Sequence, residues 1–220
     1  MKKEVEKRDK ISYQVIFWLF VIGSIVGVVL EGIWCLLKYG HWETHVVTIW
    51  EPLCIIYGFG LVGCYIGVKC FKKYPTIIQF LLFAMIGTVV EYICGWVLEY
   101  GLHMKAWDYS RRMFNLNGYV TLHMSIIWGL LGIVFRYVVP YIDKLFSKMN
   151  TRIWNIIYII FSLFMAVDLI FSTCCFIRWR NRHENKEPAN SLTRYIDKHY
   201  NDEFMENRYI EWYFVDEGKK

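Results

Sequence analysis

Four carboxylates, Glu31, Glu91, Glu99 and Asp168, interrupt otherwise apolar stretches of this 220-residue chain. An acid at the centre of a membrane helix costs roughly 2.5–3.5 kcal/mol on insertion scales, whereas each Leu, Ile, Phe or Val returns only about 0.3–0.6. The stretch Thr76–Tyr100, which holds both Glu91 and Glu99, is therefore about break-even as an isolated span. Acids in such places face the inside of a helix bundle, paired or protonated, and mark solute, ion or proton sites. The rival reading is that they tie helices together.

The segments that must position them have membrane length. Five apolar stretches reach about 20 residues: Ser12–Leu37, Leu53–Phe71, Thr76–Tyr100, Gly118–Val139 and Ile153–Ile177. The composition agrees: 56% of residues are hydrophobic, 19% aromatic and 20% charged, more apolar than a soluble domain. Trp34, Trp50, Tyr74, Trp107, Tyr137, Trp154 and Trp179 lie near span ends, as interfacial belts do. The expected fold is an all-α, polytopic membrane bundle of about five helices with a short helical tail. It divides into a basic N-terminal segment (1–11), the bundle (12–178) and a polar C-terminal tail (179–220). Pro52 suits the first turn of the second span, whose glycines Gly58, Gly60, Gly63 and Gly67 permit close helix contact or a local break.

The net charge of +5 comes from clusters, so it speaks for topology and anionic lipid rather than nucleic acid. Lys2, Lys3, Lys7, Arg8 and Lys10 precede a run too long for a signal peptide, which reads as a retained first helix with a cytoplasmic N-terminus. Five spans then place the tail outside, although it starts with Arg178, Arg180 and Arg182; a re-entrant second segment would return it to the cytoplasm. The seven cysteines show no CxxC or Cys/His metal spacing and read as packing residues.

Gly23, Gly27 and Glu31 recur every four residues, as do Gly87, Glu91, Gly95 and Glu99, so two spans carry a stripe of small and acidic residues. A wider regularity follows. Gly27-Val-Val-Leu-Glu31 leads through Trp42-Glu43 to Ile56-Tyr57-Gly58, and Gly87-Thr-Val-Val-Glu91 leads through Trp107-Asp108 to Ile127-Trp128-Gly129. This suggests two parallel hairpin repeats, against chance similarity of apolar helices.

Traced along each span, all four acids fall in the half nearer the first and third loops. Those loops add Glu43, Glu51, Asp108, Arg111 and Arg112, with His41, His45, His103 and His123 nearby. One polar cavity open to that side, reached by every acid, is the expectation. Trp107-Asp108-Tyr109-Ser110, with Asn115 and Asn117, is expected to fold back as an ordered cap, Asp108 pairing with Arg111 or Arg112.

Competing chemistries find less support. His41 and His45 stand at i, i+4, yet no third metal ligand accompanies them, and two solvated loop histidines is the plainer reading. Glu91 and Glu99 are two helical turns apart, too far to flank one glycosidic bond. Neither GxSxG nor GxxxxGK[ST] occurs, so no catalytic residue is assigned and any ATP hydrolysis by that route belongs to another chain. In the tail, Ser191 is placed as the cap of a short helix to Tyr200, and Tyr209–Phe214 against the interface or the bundle.

Several of these stretches resemble the bacterial ABC-transporter type IV permease-like membrane proteins. The resemblance rests on Gly27–Glu31, Pro52–Gly60, Glu91–Glu99, Trp107–Ser110, Phe114–Gly118, Trp128-Gly129, Asp168 and Ile196-Asp197-Lys198, and runs from about Phe17 to Phe204. It departs at His45–Glu51, where the family has an Asn-Arg-Gly-Phe-like and Gly-Pro segment. The resemblance implies a multi-pass protein of the bacterial cytoplasmic membrane with permease activity, which as an ABC-type system would need a separate ATP-hydrolysing subunit; a homo-oligomer is a further candidate partner. The candidate substrate-binding set, read from the residues themselves, is Glu31, Glu91, Glu99, Asp108, Asn115, Asn117 and Asp168, taking a small polar or cationic solute. Two other classes stay open: a membrane-embedded enzyme using carboxylate and histidine acid–base groups, and a non-transporting sensor or assembly factor.

Overall fold

A computed structural model describes residues 11–43, 46–149 and 151–217. The basic N-terminal cluster and His45 lie outside the described residues. Five long helices form the bundle: α1 (Tyr13–Tyr39), α2 (Ile55–Phe71), α3 (Thr76–Val97), α4 (Leu122–Lys148) and α5 (Arg152–His183). A π-turn, Leu98–Leu102, extends α3. Four of the five are long and apolar enough to cross a membrane, and α2 is a shorter apolar helix of 17 residues. At 1.5 Å per residue α2 still covers about 26 Å, close to the hydrocarbon thickness. Ile22, Val29, Leu81, Val134 and Ile160 point outward and are exposed, the inside-out pattern of helices solvated by lipid.

The helices share one end of the bundle, but α2 starts beside the middle of α1. At one end the Gln14 amide donates to the Met149 carbonyl at 3.2 Å, and Lys69 pairs with Asp143. Midway along α1 the Ser24 carbonyl accepts from the backbone N–H of Cys54 at 3.3 Å, and on the side of the first loop Arg208 donates to the Thr48 carbonyl at 2.7 Å. α2 is a continuous helix whose glycines serve contact rather than a break, and it begins where Gly23 and Gly27 of α1 meet Tyr57. Pro52 is not its first turn. Val47 N–H donates to the Leu53 carbonyl at 2.8 Å, which holds residues 53 and 54 extended until Ile55.

Two antiparallel hairpins, α1/α2 and α3/α4, pack side by side, with α5 against α1. Their centre is made by glycines that admit rings. A Cβ on Gly27 would overlap the Tyr57 ring, and one on Gly87 the Trp128 ring. Phe20 lies against Gly58, and Phe80 against Gly129, at the same places in the two hairpins. The α4 start also moves from the sequence reading. Residues 115–121 form a small antiparallel pair, β2 (Asn115–Leu116) with β3 (Val120–Thr121), so the helix begins at Leu122, capped by the Thr121 hydroxyl. It continues past Pro140 to Lys148.

The tail folds onto the end of α5 as α6 (Ser191–His199), α7 (Asp202–Arg208) and β4 (Tyr213–Phe214), the last pairing with β1 (Met104–Lys105). The cap of α6 is Asn190, not Ser191, because Asn190 and Thr193 exchange the reciprocal bonds of a capping box. Ile196, Met205, Tyr209, Trp212 and Phe214 bury against Cys175, Phe176 and Trp179, so the aromatic terminus lies on the bundle.

Candidate functional site

Where the two hairpins meet the loops, a cavity of about 550 Å³ opens. Glu31 from α1 and Glu91 from α3 both line it, one from each repeat. The Tyr57 hydroxyl donates to Glu31, and the Trp128 indole N–H donates to Glu91 Oε2 at 3.2 Å. Each acid is thus served by the ring that the glycine one turn earlier admits. The Tyr57 and Trp128 rings themselves lie 5.9 Å apart at the bundle centre. Glu91 is 5% exposed. Its partners are neutral donors, as is that of Glu31; among the described residues neither acid forms an ion pair.

The third loop closes over this site. Trp107, Asp108, Tyr109 and Arg112 line the cavity. The Tyr109 hydroxyl bonds Glu91; burial, then the Glu91 charge, holds that phenol above its ordinary value, so it stays a donor. Local bonds order the loop. Asp108 Oδ1 accepts from Ser110 N–H at 2.8 Å, and the Trp107 indole donates to the Tyr119 carbonyl at 2.8 Å. Gly118, at φ 74°, is the residue that turns the chain beside Asp108; a Cβ there would stand 2.7 Å from Oδ1. Asp108 does not pair with Arg111 or Arg112: its cation is Lys105, at 4.0 Å, which also reaches Glu99 at 3.3 Å.

The sequence-derived set divides. Glu31, Glu91 and Asp108 converge on the cavity, while Glu99, Asn115, Asn117 and Asp168 lie outside its lining. Glu99 is held by Lys105. The Asn115 amide donates to the carbonyls of Ser110 and Arg112, and its oxygen accepts from Gly118 N–H at 3.0 Å. Asn117 donates to the Tyr92 hydroxyl at 2.9 Å. These two asparagines shape the loop from within. Asp168, 0% exposed, accepts from Trp50 N–H at 3.3 Å, Glu51 N–H at 3.2 Å and the Ser172 hydroxyl at 3.0 Å. It binds the first loop to α5, so the single cavity shared by all four acids does not form.

The first loop contributes Glu43, whose carboxylate accepts from Cys35 Sγ at 3.5 Å and from His41 at 3.0 Å. Lys38, from the end of α1, sits over the Tyr39 ring at 4.7 Å and the Trp34 ring at 5.8 Å, both in the cavity wall. The tail adds Glu211 and Trp212. Tyr57 and Trp128 as partners of the acids were discoverable from their matched places in the repeat; the tail residues carry no local signal. Among the described residues no group of three His, Cys, Asp or Glu has a geometry to hold a metal ion.

The helices define a multi-pass membrane protein whose two hairpins enclose an acidic, aromatic cavity. The chain belongs to the family described as "Putative ABC-transporter type IV", whose model matches residues 18–173. No curated protein and no solved structure matches it.

Proposed function

We propose that this chain is the permease part of a membrane transport system and that the cavity between its hairpins takes a small polar or cationic solute. One observation carries the reading: Glu31 and Glu91, from equivalent places in two hairpins, face one cavity, and among the described residues their hydrogen-bond partners are neutral donors. Carboxylates inside a membrane bundle are costly unless something compensates them, and a solute passing through is such a partner. Of the acids outside the lining, Glu99 supports the cap through Lys105, and Asp168 fixes the first loop. With no phosphate-binding loop in the chain, energy from ATP comes from a partner subunit. The setting is a bacterial cytoplasmic membrane, with the N-terminus in the cytoplasm.

Uptake into vesicles reconstituted with the full chain and its co-purified ATPase tests this, using a panel of radiolabelled amines, amino acids and inorganic ions. Asp108→Asn and Glu91→Gln should each abolish uptake of the accepted solute while inserting normally. Full uptake by both variants would reduce these residues to packing and end the reading.

A further inference from the structure

The cavity wall already holds one ammonium group. Lys38 Nζ rests over Tyr39 and Trp34, at 4.7 and 5.8 Å from the ring centroids, within the range of cation–π attraction. Deeper in, the same wall offers Tyr57, Tyr109, Trp107 and Trp128, and beside them Glu31 and Glu91. Lys38 and Arg112 also line the cavity, but among the described residues neither glutamate forms an ion pair with them, and aromatic faces beside such carboxylates are the chemistry that recognises a substituted ammonium, whose diffuse charge favours rings over water. Among the described residues no group of three His, Cys, Asp or Glu converges to hold a metal ion here.

The lining also has an apolar side. Trp34, Phe59, Ile93 and Val97 border the cavity while standing 49–59% exposed on helix surfaces that face the bilayer. A ligand seated by its charged end at Glu31 and Glu91 can leave an apolar part among these residues. From this geometry we infer that the cavity binds an alkylammonium group attached to an apolar moiety, with the charged end beside Glu31 and Glu91 and against the aromatic wall. The inference rests on the reading of the cavity as a solute site. A soluble organic amine and the ammonium of a lipid headgroup share this chemistry.

Benzyltrimethylammonium is the probe, titrated into the purified full chain in nanodiscs and followed by tryptophan fluorescence, since several cavity-lining residues are indoles. The uncharged isostere neopentylbenzene and the anion benzenesulfonate are the comparisons. Saturable binding of the cation is expected, about tenfold or more tighter than the isostere. Glu31→Gln and Glu91→Gln should erase that preference, whereas Glu184→Gln, in the tail, should keep it. Weaker apparent binding in discs containing phosphatidylethanolamine than in phosphatidylglycerol discs assigns the site to a headgroup; equal binding assigns it to a soluble amine. Should a glutamine variant fail to fold, the ratio of cation to isostere in the parent chain and in Tyr57→Phe, which keeps the ring, still reads the charge preference. Equal affinity for cation and isostere overturns the ammonium assignment and leaves the cavity as a site for another solute. Binding of the anion alone, or of none of the three while uptake of another solute is intact, likewise overturns it.

Discussion

Gly87 stands directly beneath the indole of Trp128, and that contact sets the indole N–H on Glu91, one helical turn further along. Gly27 does the same for Tyr57 and Glu31. A methyl group at either glycine has no room, so the ring must leave its place and the acid must lose its donor. Gly87→Ala is expected to destabilise the bundle by about 1–3 kcal/mol, the range for overpacking a filled core. Gly27→Ala should cost a similar amount. Combining Gly87→Ala with Trp128→Leu should recover part of the loss, measured by thermal unfolding in detergent, because the smaller side chain can share the space. Purely additive costs would show that the glycine and the ring do not depend on each other.

Lys73 and Arg112 stand at opposite ends of α3, one of the four helices long and apolar enough to cross a membrane. In a cysteine-free background, single cysteines at Lys73 and Arg112 should label from opposite sides with a membrane-impermeant reagent. A cysteine at Asp216 should label from the Arg112 side, because β4 pairs with β1 beside the third loop. Labelling of positions 73 and 112 from one side would remove the five-crossing arrangement.

The hairpin pairing was legible because period and chemistry coincided. Gly-x3-Glu in one helix and an aromatic-Gly pair in the next are complementary shapes, and both occur twice. The cap was legible through Asp108, Ser110 and Asn115, whose short polar side chains bond their own backbone. Asp168 was not. Its partners are backbone N–H groups more than a hundred residues earlier, and backbone carries no residue signature. Glu99 was misplaced for a related reason: eight residues of helix put it about 80° around from Glu91, and Lys105 takes it from outside the lining. The tail showed its aromatics but not the Cys175–Trp179 surface they cover.

Glu51 introduces a pH dependence at the first loop. Burial, then the charge and hydrogen bond of Asp168, raises its carboxyl from 4.5 to about 6. The folded chain therefore holds a proton that the unfolded chain has lost, and stability falls as pH rises from about 4.5 to 6. With allowance for solvent screening the loss is about 1 kcal/mol. Glu51→Gln should flatten the melting temperature across that window and raise it at pH 7. An unchanged slope in the variant would assign the effect to another group.

Arg178, near the end of α5, is 4% exposed, and Asp197 of the tail holds it with bonds of 2.7 and 2.8 Å. Arg182 reaches the same carboxylate at 2.7 Å. Burial opposes ionisation of Asp197, but the hydrogen bonds and charges of the two arginines prevail and hold its carboxyl below 3.8. This contribution is complete above the unfolded value and disappears as pH falls through the lower folded one. Docking of the tail should thus be constant from pH 7 to about 4 and weaken only in stronger acid. Asp197→Asn leaves the Arg178 guanidinium buried without its carboxylate, a loss of about 3 kcal/mol. Hydrogen exchange should then accelerate through Ser191–Phe214 while α1 to α4 keep their protection, and the cavity, whose wall includes Trp212, should become more accessible to an aqueous fluorescence quencher. Exchange unchanged in the tail would mean that aromatic packing on α5 holds it without the ion pair.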